Sequence, residues 1–119
     1  MAVALTLTQR EYILKAEREL PTSEQTVFMI RPLTAHETAQ IDDIARMNDK
    51  GELVSLNAMI LERVVRGLVG WRNLKHAEGA ELPFSKDQTE NLNRIIPYIP
   101  ELSTAIDALT ELKADEVKN

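Results

Sequence analysis

The sequence predicts an α+β domain that is mainly helical, with an N-terminal β-hairpin followed by about four helices around a central apolar helix. Two short segments near the N-terminus, rich in β-branched and aromatic residues, predict the hairpin. A long segment, residues 53–71, is apolar along two adjacent stripes at helical spacing and predicts the central helix. Capping patterns at Thr34 and Ser85 predict where two further helices begin.

The hairpin strands are predicted at residues 11–17 and 26–31, joined by a polar, proline-containing loop. The first segment alternates between apolar and charged residues, as a half-buried strand does. Residues 27–30 are apolar on both faces, so we expect the second strand to be covered on each side. Pro32 has no backbone donor and is expected to end this strand.

The first two helices follow directly. Thr34 and Glu37 form a capping box that opens a helix over about residues 35–47, and Gly51 is available for a left-handed end to this helical segment. The central helix is predicted over residues 53–71. Because it is apolar over much of its circumference, it belongs at the centre of the fold or in an interface, and we expect Ile60 and Val64 to be almost fully buried.

The C-terminal part is predicted to hold two more helices. Ser85 is expected to cap the first, with Gln88 at the reciprocal position. This helix must bend or end near Pro97 and Pro100. The last helix is predicted over roughly residues 101–115.

Length and composition limit the class of protein. We interpret residues 1–119 as a single domain and expect residues 1–8 and 114–119 to be frayed. The net charge of −5 argues against a general nucleic-acid binder, because phosphate contacts need a positive surface. The mildly apolar N-terminus does not have the pattern of a signal peptide, and charges interrupt the longest apolar stretch, so we expect no membrane segment.

Catalytic and metal-binding patterns are not found in the sequence. There is no cysteine, and the two histidines, His36 and His76, lie far apart. None of the four glycines belongs to a loop that would hold a phosphate, and no serine or threonine lies in a nucleophile motif. We therefore expect no catalytic residue, no cofactor and no metal site, and a protein that is not an enzyme.

Two blocks of sequence resemble small proteins of tailed bacteriophages. Residues 67–85 read GLVGWRNLKHAEGAELPFS, in which a Gly-Trp pair ends a helix and a Pro-Phe-Ser segment starts the next. Residues 11–37 read EYILKAERELPTSEQTVFMIRPLTAHE, in which a hairpin leads to an Arg-Pro-Leu-Thr helix start. Together the blocks cover about half of the chain and resemble most closely the tail assembly chaperones of long-tailed phages.

This resemblance implies a mainly helical protein that binds the tape-measure protein, keeps it in solution and recruits tail-tube subunits. Such a protein works in the cytoplasm of the bacterial host and is absent from the finished particle. Two alternatives remain open: a structural head–tail or tail component retained in the virion, and a phage-encoded inhibitor of a host protein. Self-association into a homo-oligomer is also left open.

The partner-binding surface is predicted from two groups of apolar residues. The last helix carries the narrow stripe Leu102, Ile106, Leu109 and Leu112, which either covers the core or contacts another apolar helix. Trp71 and Phe84 are the other candidates, and we expect Phe84 to pack near Trp71. If this aromatic pair is instead exposed, it is itself a docking site.

Overall fold

A computed structural model describes the backbone of residues 9–47, 52–75 and 77–118, and the side chains of these ranges except 45–47, 52–56 and 113–118. The order of elements is β1 (Arg10–Ile13), β2 (Val27–Ile30), α1 (Ala35–Met47), α2 (Glu52–Gly67), β3 (Leu68–Arg72), α3 (Gln88–Arg94) and α4 (Ile99–Lys118). The predicted fold class, α+β and mainly α with an N-terminal hairpin, is confirmed. Residues 1–8, Gly51 and His76, on which some predictions fall, lie outside the described residues.

The three strands form one antiparallel sheet in the order β1-β2-β3. β2 is therefore the middle strand, and its Phe28 pairs with Tyr12 of β1 on one side and with Trp71 of β3 on the other. Val27, Phe28 and Ile30 are buried. The prediction that β2 is covered on both sides is thus confirmed.

β1 is shorter than predicted. The chain leaves the sheet after Ile13 and forms a 3-10 turn over Lys15–Glu17. The reason lies in Glu17, whose carboxylate accepts a 2.7 Å hydrogen bond from the backbone N–H of Thr26, so a side chain takes the place of a strand partner at this position.

The central helix ends earlier than predicted, and its last predicted turn is a strand. α2 stops at Gly67, and residues 68–72 pair with β2 as β3. The Gly67 carbonyl accepts a 2.9 Å hydrogen bond from the Arg31 N–H, next to the end of β2. Apolar residues such as these are compatible with a strand as well as with a helix. Here they form a strand because they pair with the edge of β2 that β1 leaves free.

The capping box at the start of α1 is confirmed. The Glu37 N–H donates to the Thr34 hydroxyl at 3.1 Å, and the Thr34 N–H donates to the Glu37 carboxylate at 2.9 Å. Arg31 also forms a 2.7 Å salt bridge with Glu37. The hydrogen bond from Arg31 is the largest cause that lowers the pKa of Glu37 to about 2, against the opposing effect of burial.

The predicted cap of α3 is wrong by two residues. Asp87 is the N-cap, and its carboxylate accepts from the Thr89 N–H at 3.0 Å. Ser85 instead accepts a hydrogen bond from the Asp87 N–H. The Gln88 amide donates to the carbonyls of Val65 and Leu68, so this side chain fastens α3 to the junction of α2 and β3.

The core lies between the sheet and the helices. Val64 of α2 is fully buried, as predicted, but Ile60 is only partly buried, so that half of the prediction is wrong. α2 packs against both α1 and α4, and its fully buried Val64 lies in its C-terminal half.

Candidate functional site

The apolar stripe on α4 passes from the core to the surface along its length. Leu102 and Ile106 are 0% exposed, Leu109 is partly buried, and Leu112 is 53% exposed. The first half of the predicted partner-binding stripe is thus part of the core. A partner could reach only Leu109 and Leu112 without displacing the helix.

Polar contacts hold the first three turns of α4 against the body. Arg63 of α2 donates to the Ser103 hydroxyl at 3.0 Å. The Leu33 N–H donates to the Thr110 hydroxyl at 3.0 Å, and that hydroxyl donates to the Ile106 carbonyl at 2.8 Å. Leu112 lies beyond the residues that make these hydrogen bonds, and its side chain is exposed.

Trp71 and Phe84 are brought together, as predicted. Their rings meet edge to face with centroids 4.9 Å apart. The Trp71 indole N–H donates to the Leu82 carbonyl at 2.8 Å, and the Trp71 ring also contacts Phe28 at 6.3 Å. Trp71 is 9% exposed. These two residues close the segment between β3 and α3, and their rings are largely occupied by internal contacts.

α2 contributes a second exposed apolar position. Leu61 is 44% exposed, and Met59, Ile60 and Val65 are partly buried. Leu61 is thus an exposed apolar side chain on a helix whose neighbouring residues pack against the core.

A cleft of about 470 Å³ lies between the turn after β1 and the first half of α4. Its lining combines charged or aromatic groups from both elements with small side chains from α4; these residues are Tyr12, Lys15, Arg18, Pro100, Glu101, Thr104, Ala105 and Ala108. No window of the sequence indicates this cleft, because its two sides are 82 or more residues apart along the chain.

The cleft is organised around the Glu101 carboxylate. One carboxylate oxygen of Glu101 accepts from the Tyr12 hydroxyl at 2.6 Å and from the Lys15 N–H at 2.9 Å. The Arg18 guanidinium lies over the Tyr12 ring at 5.4 Å, and its Nε donates to the Ile13 carbonyl at 3.1 Å. Three independent contacts therefore fix the orientation of Tyr12 and Arg18.

Electrostatics in the cleft follow from these contacts. Desolvation, followed by the hydrogen bond to Glu101 and its negative charge, raises the pKa of Tyr12 to about 12. Burial alone would raise the pKa of Glu101. The hydrogen bonds from Tyr12 and Lys15, with the charges of Lys15 and Arg18, outweigh burial and lower that pKa. At neutral pH the cleft therefore holds a neutral tyrosine, one carboxylate and two cations.

In the part of the chain that the structure describes, no three His, Cys, Asp or Glu side chains are grouped as the ligands of a metal ion would be. Within the same residues, no helix combines the length and apolar composition needed to cross a membrane.

The fold and these surfaces define a small α+β domain with exposed apolar and charged side chains on its helices and on the turn after β1. Comparisons with protein families, with curated proteins and with solved structures find no match to this chain.

Proposed function

We propose that this chain is a non-enzymatic morphogenesis protein of a tailed bacteriophage: a tail assembly chaperone that binds the tape-measure protein and recruits tail-tube subunits in the host cytoplasm. The observation that carries the proposal is the stripe on α4, which continues from the fully buried Leu102 and Ile106 to the exposed Leu112. A tape-measure protein is a long helical chain with apolar stripes, and such a stripe needs an apolar surface to cover it before assembly.

The sequence blocks that resemble tail assembly chaperones support the proposal at the level of fold. The hairpin β1–β2 leads through Arg31 and Pro32 to the capped start of α1, in the order that the resemblance implies. The second block departs from the pattern, because the Gly-Trp pair lies in β3 rather than at the end of a helix, and α3 is capped by Asp87 rather than by the Pro-Phe-Ser segment. The mainly helical fold also agrees with what the resemblance implies.

The exposed apolar area suits a partner that is later released. Full burial of a leucine contributes about 1.5–3 kcal/mol, and Leu112 is already about half covered, so each such contact adds roughly half of that. Association itself costs several kcal/mol. Leu109, Leu112 and Leu61 together would contribute only about 2–5 kcal/mol, which does not exceed that cost, so the proposed complex needs further contacts and is at most weak.

Co-expression tests the proposal. The chain is expressed with the tape-measure and tail-tube proteins of the genome that encodes it, and the soluble tape-measure protein is recovered through a tag on this chain. Leu112→Asp should remain folded by circular dichroism, because the side chain is exposed, but should recover at least about tenfold less tape-measure protein.

Ile96→Asp is the matched control. Ile96 is 61% exposed and lies in the 3-10 turn between α3 and α4, outside both the apolar stripe and the lining of the cleft, so the substitution adds the same charge elsewhere. Equal recovery by wild type, Ile96→Asp and Leu112→Asp would contradict the proposal.

Mass spectrometry of purified virions separates the alternatives. Absence of the chain from virions is expected of a chaperone, whereas a fixed copy number per particle identifies a structural tail component. Capture of one host protein without any tail protein identifies an inhibitor.

A further inference from the structure

The cleft and the exposed leucine of α4 share one face of that helix. Glu101, Ala105, Ala108 and Leu112 follow each other at intervals of four, three and four residues, which places them in one row along an α-helix. The row therefore runs from the charged cleft, across two alanines, to the exposed Leu112. This continuity joins two surface features into one extended surface, which we call the α4 row.

The middle of the α4 row is suited to a helix that approaches closely. Ala105 and Ala108 line the cleft and carry no side chain beyond Cβ. Thr104, beside them, donates its hydroxyl to the Pro100 carbonyl at 3.1 Å and so is engaged within α4. An opposing helix can therefore pack against the row without displacing a large side chain.

The cleft end of the row carries an excess of positive charge on an acidic protein. Lys15 and Arg18 line the cleft, and neither forms a salt bridge with a carboxylate among the described residues. Glu101 is the one carboxylate in the lining, and it already accepts hydrogen bonds from Tyr12 and Lys15. The net charge of the chain is −5, so two exposed cations beside one carboxylate that already accepts two hydrogen bonds form a local exception.

The Arg18 guanidinium is held in one orientation that suits binding of a carboxylate. Its contact with the Tyr12 ring and its Nε hydrogen bond to Ile13 hold the guanidinium at the edge of the cleft. A guanidinium fixed in this way binds a carboxylate with two parallel hydrogen bonds at a smaller entropic cost than a free arginine.

We infer that the α4 row binds an amphipathic helix of a partner protein, with an acidic end that contacts Arg18 and Lys15 and an apolar side chain that covers Leu112. The inference rests on the proposed function for the use of Leu112, and adds the chemistry of the partner segment. Charge complementarity argues for this occupant, because an acidic segment is what the exposed Arg18 and Lys15 attract.

The probe is a labelled helical peptide with leucines along one face and glutamates at both ends, so that either docking direction is served. Its matched form carries glutamine in place of each glutamate. Binding is measured by fluorescence anisotropy at low and physiological salt. The glutamate peptide should bind wild type about tenfold to thirtyfold more tightly than the glutamine peptide.

Three variants locate the contact. Arg18→Gln and Lys15→Gln should each weaken binding of the glutamate peptide about fivefold and should leave binding of the glutamine peptide unchanged. Lys86→Gln removes the same charge from an exposed position before α3 and should change neither affinity by more than about twofold. All variants are compared with wild type by circular dichroism.

Equal losses in Arg18→Gln and Lys86→Gln would overturn the inference, because the charge effect would then be long-range. Equal affinity of the two peptides for wild type, or no saturable binding of either, would overturn it as well. Self-association of the chain that Arg18→Gln abolishes would identify a second copy as the occupant and so contradict it.

The outcome is separable from that of the proposed function. If Leu112→Asp prevents recovery of the tape-measure protein while Arg18→Gln has no effect on either peptide, the function stands and the inference fails. If both peptide effects appear but no tail protein is recovered, the inference stands and the proposed function fails.

Discussion

Replacement of Gly67 by alanine tests how α2 and α4 fit together. A Cβ at position 67 would lie 2.6 Å from Cδ1, 2.7 Å from Cγ2 and 2.9 Å from Cγ1 of Ile106, and that side chain is fully buried. Overpacking of this kind costs about 1–3 kcal/mol. Alanine also favours helix over glycine by up to about 1 kcal/mol, but Gly67 is the last residue of α2, where the gain is smaller. We expect a net destabilisation of about 1–2 kcal/mol.

Urea unfolding followed by circular dichroism measures this free energy. Gly70→Ala is the matched control, because a Cβ there would meet Met29 at an ordinary 3.7 Å, and its free energy of unfolding should change by less than about 0.5 kcal/mol. Gly67 ends α2 whereas Gly70 lies in β3, so this control tests only whether the segment tolerates a Cβ, and coupling to Ile106 is measured directly.

A double-mutant cycle identifies the cause. Ile106→Ala alone should cost about 2–5 kcal/mol, but it removes all three crowding atoms. Gly67→Ala should then cost nothing in the Ile106→Ala background, which gives a coupling of about 1–2 kcal/mol. Additive effects, or a Gly67→Ala variant as stable as wild type, would refute the argument that the side chain of Ile106 requires glycine there.

Three further predictions concern single side chains. The pKa of Glu37 is about 2 in the folded protein, against 4.5 for the free group. The stability that its carboxylate contributes is therefore present above about pH 5 and is lost as the pH falls towards 2. Glu37→Gln should lower the free energy of unfolding by on the order of 1–2 kcal/mol at pH 7, and should flatten its acid dependence in urea titrations. The pKa of Tyr12 is about 12, so its contribution is present below about pH 10 and is lost as pH rises to 12; Glu101→Gln should lower that pKa part of the way to 10, since desolvation remains, as read by phenolate absorbance. Trp71 should emit at a blue-shifted wavelength in the native state, and Phe84→Ala should shift the emission to the red and cost about 2–4 kcal/mol.

Local signals in the sequence predict the parts of the fold that local contacts determine. The capping box of Thr34 and Glu37 spans four residues of sequence, and it forms as predicted. The pairing of Trp71 with Phe84 was expected because an apolar segment close in sequence needs cover, and their rings do meet. In both cases the deciding partner lies within about a dozen residues.

The errors arise where distant residues decide. Residues 68–72 continue the apolar spacing of α2, and only the open edge of β2 turns them into a strand. The cleft likewise depends on contact between Tyr12 and Glu101, which no window of sequence contains. Leu102 and Ile106 are buried whereas Leu112 is exposed, because the rest of the fold covers only the first part of α4. Helical periodicity predicts the stripe but does not predict which of its residues are covered.

The place of α1 and α2 between β2 and β3 sets an order of assembly. β1 and β2 are joined by a short connection and can pair early, whereas β3 reaches β2 only after the chain of both helices has been brought back. Closing the longer loop carries the larger entropic cost, which the packing of α1 on α2 must offset first. The amides of β3 should therefore exchange with solvent whenever the helical pair opens. Hydrogen exchange at the β3 edge of the sheet thus measures how often the packing of α1 on α2 opens.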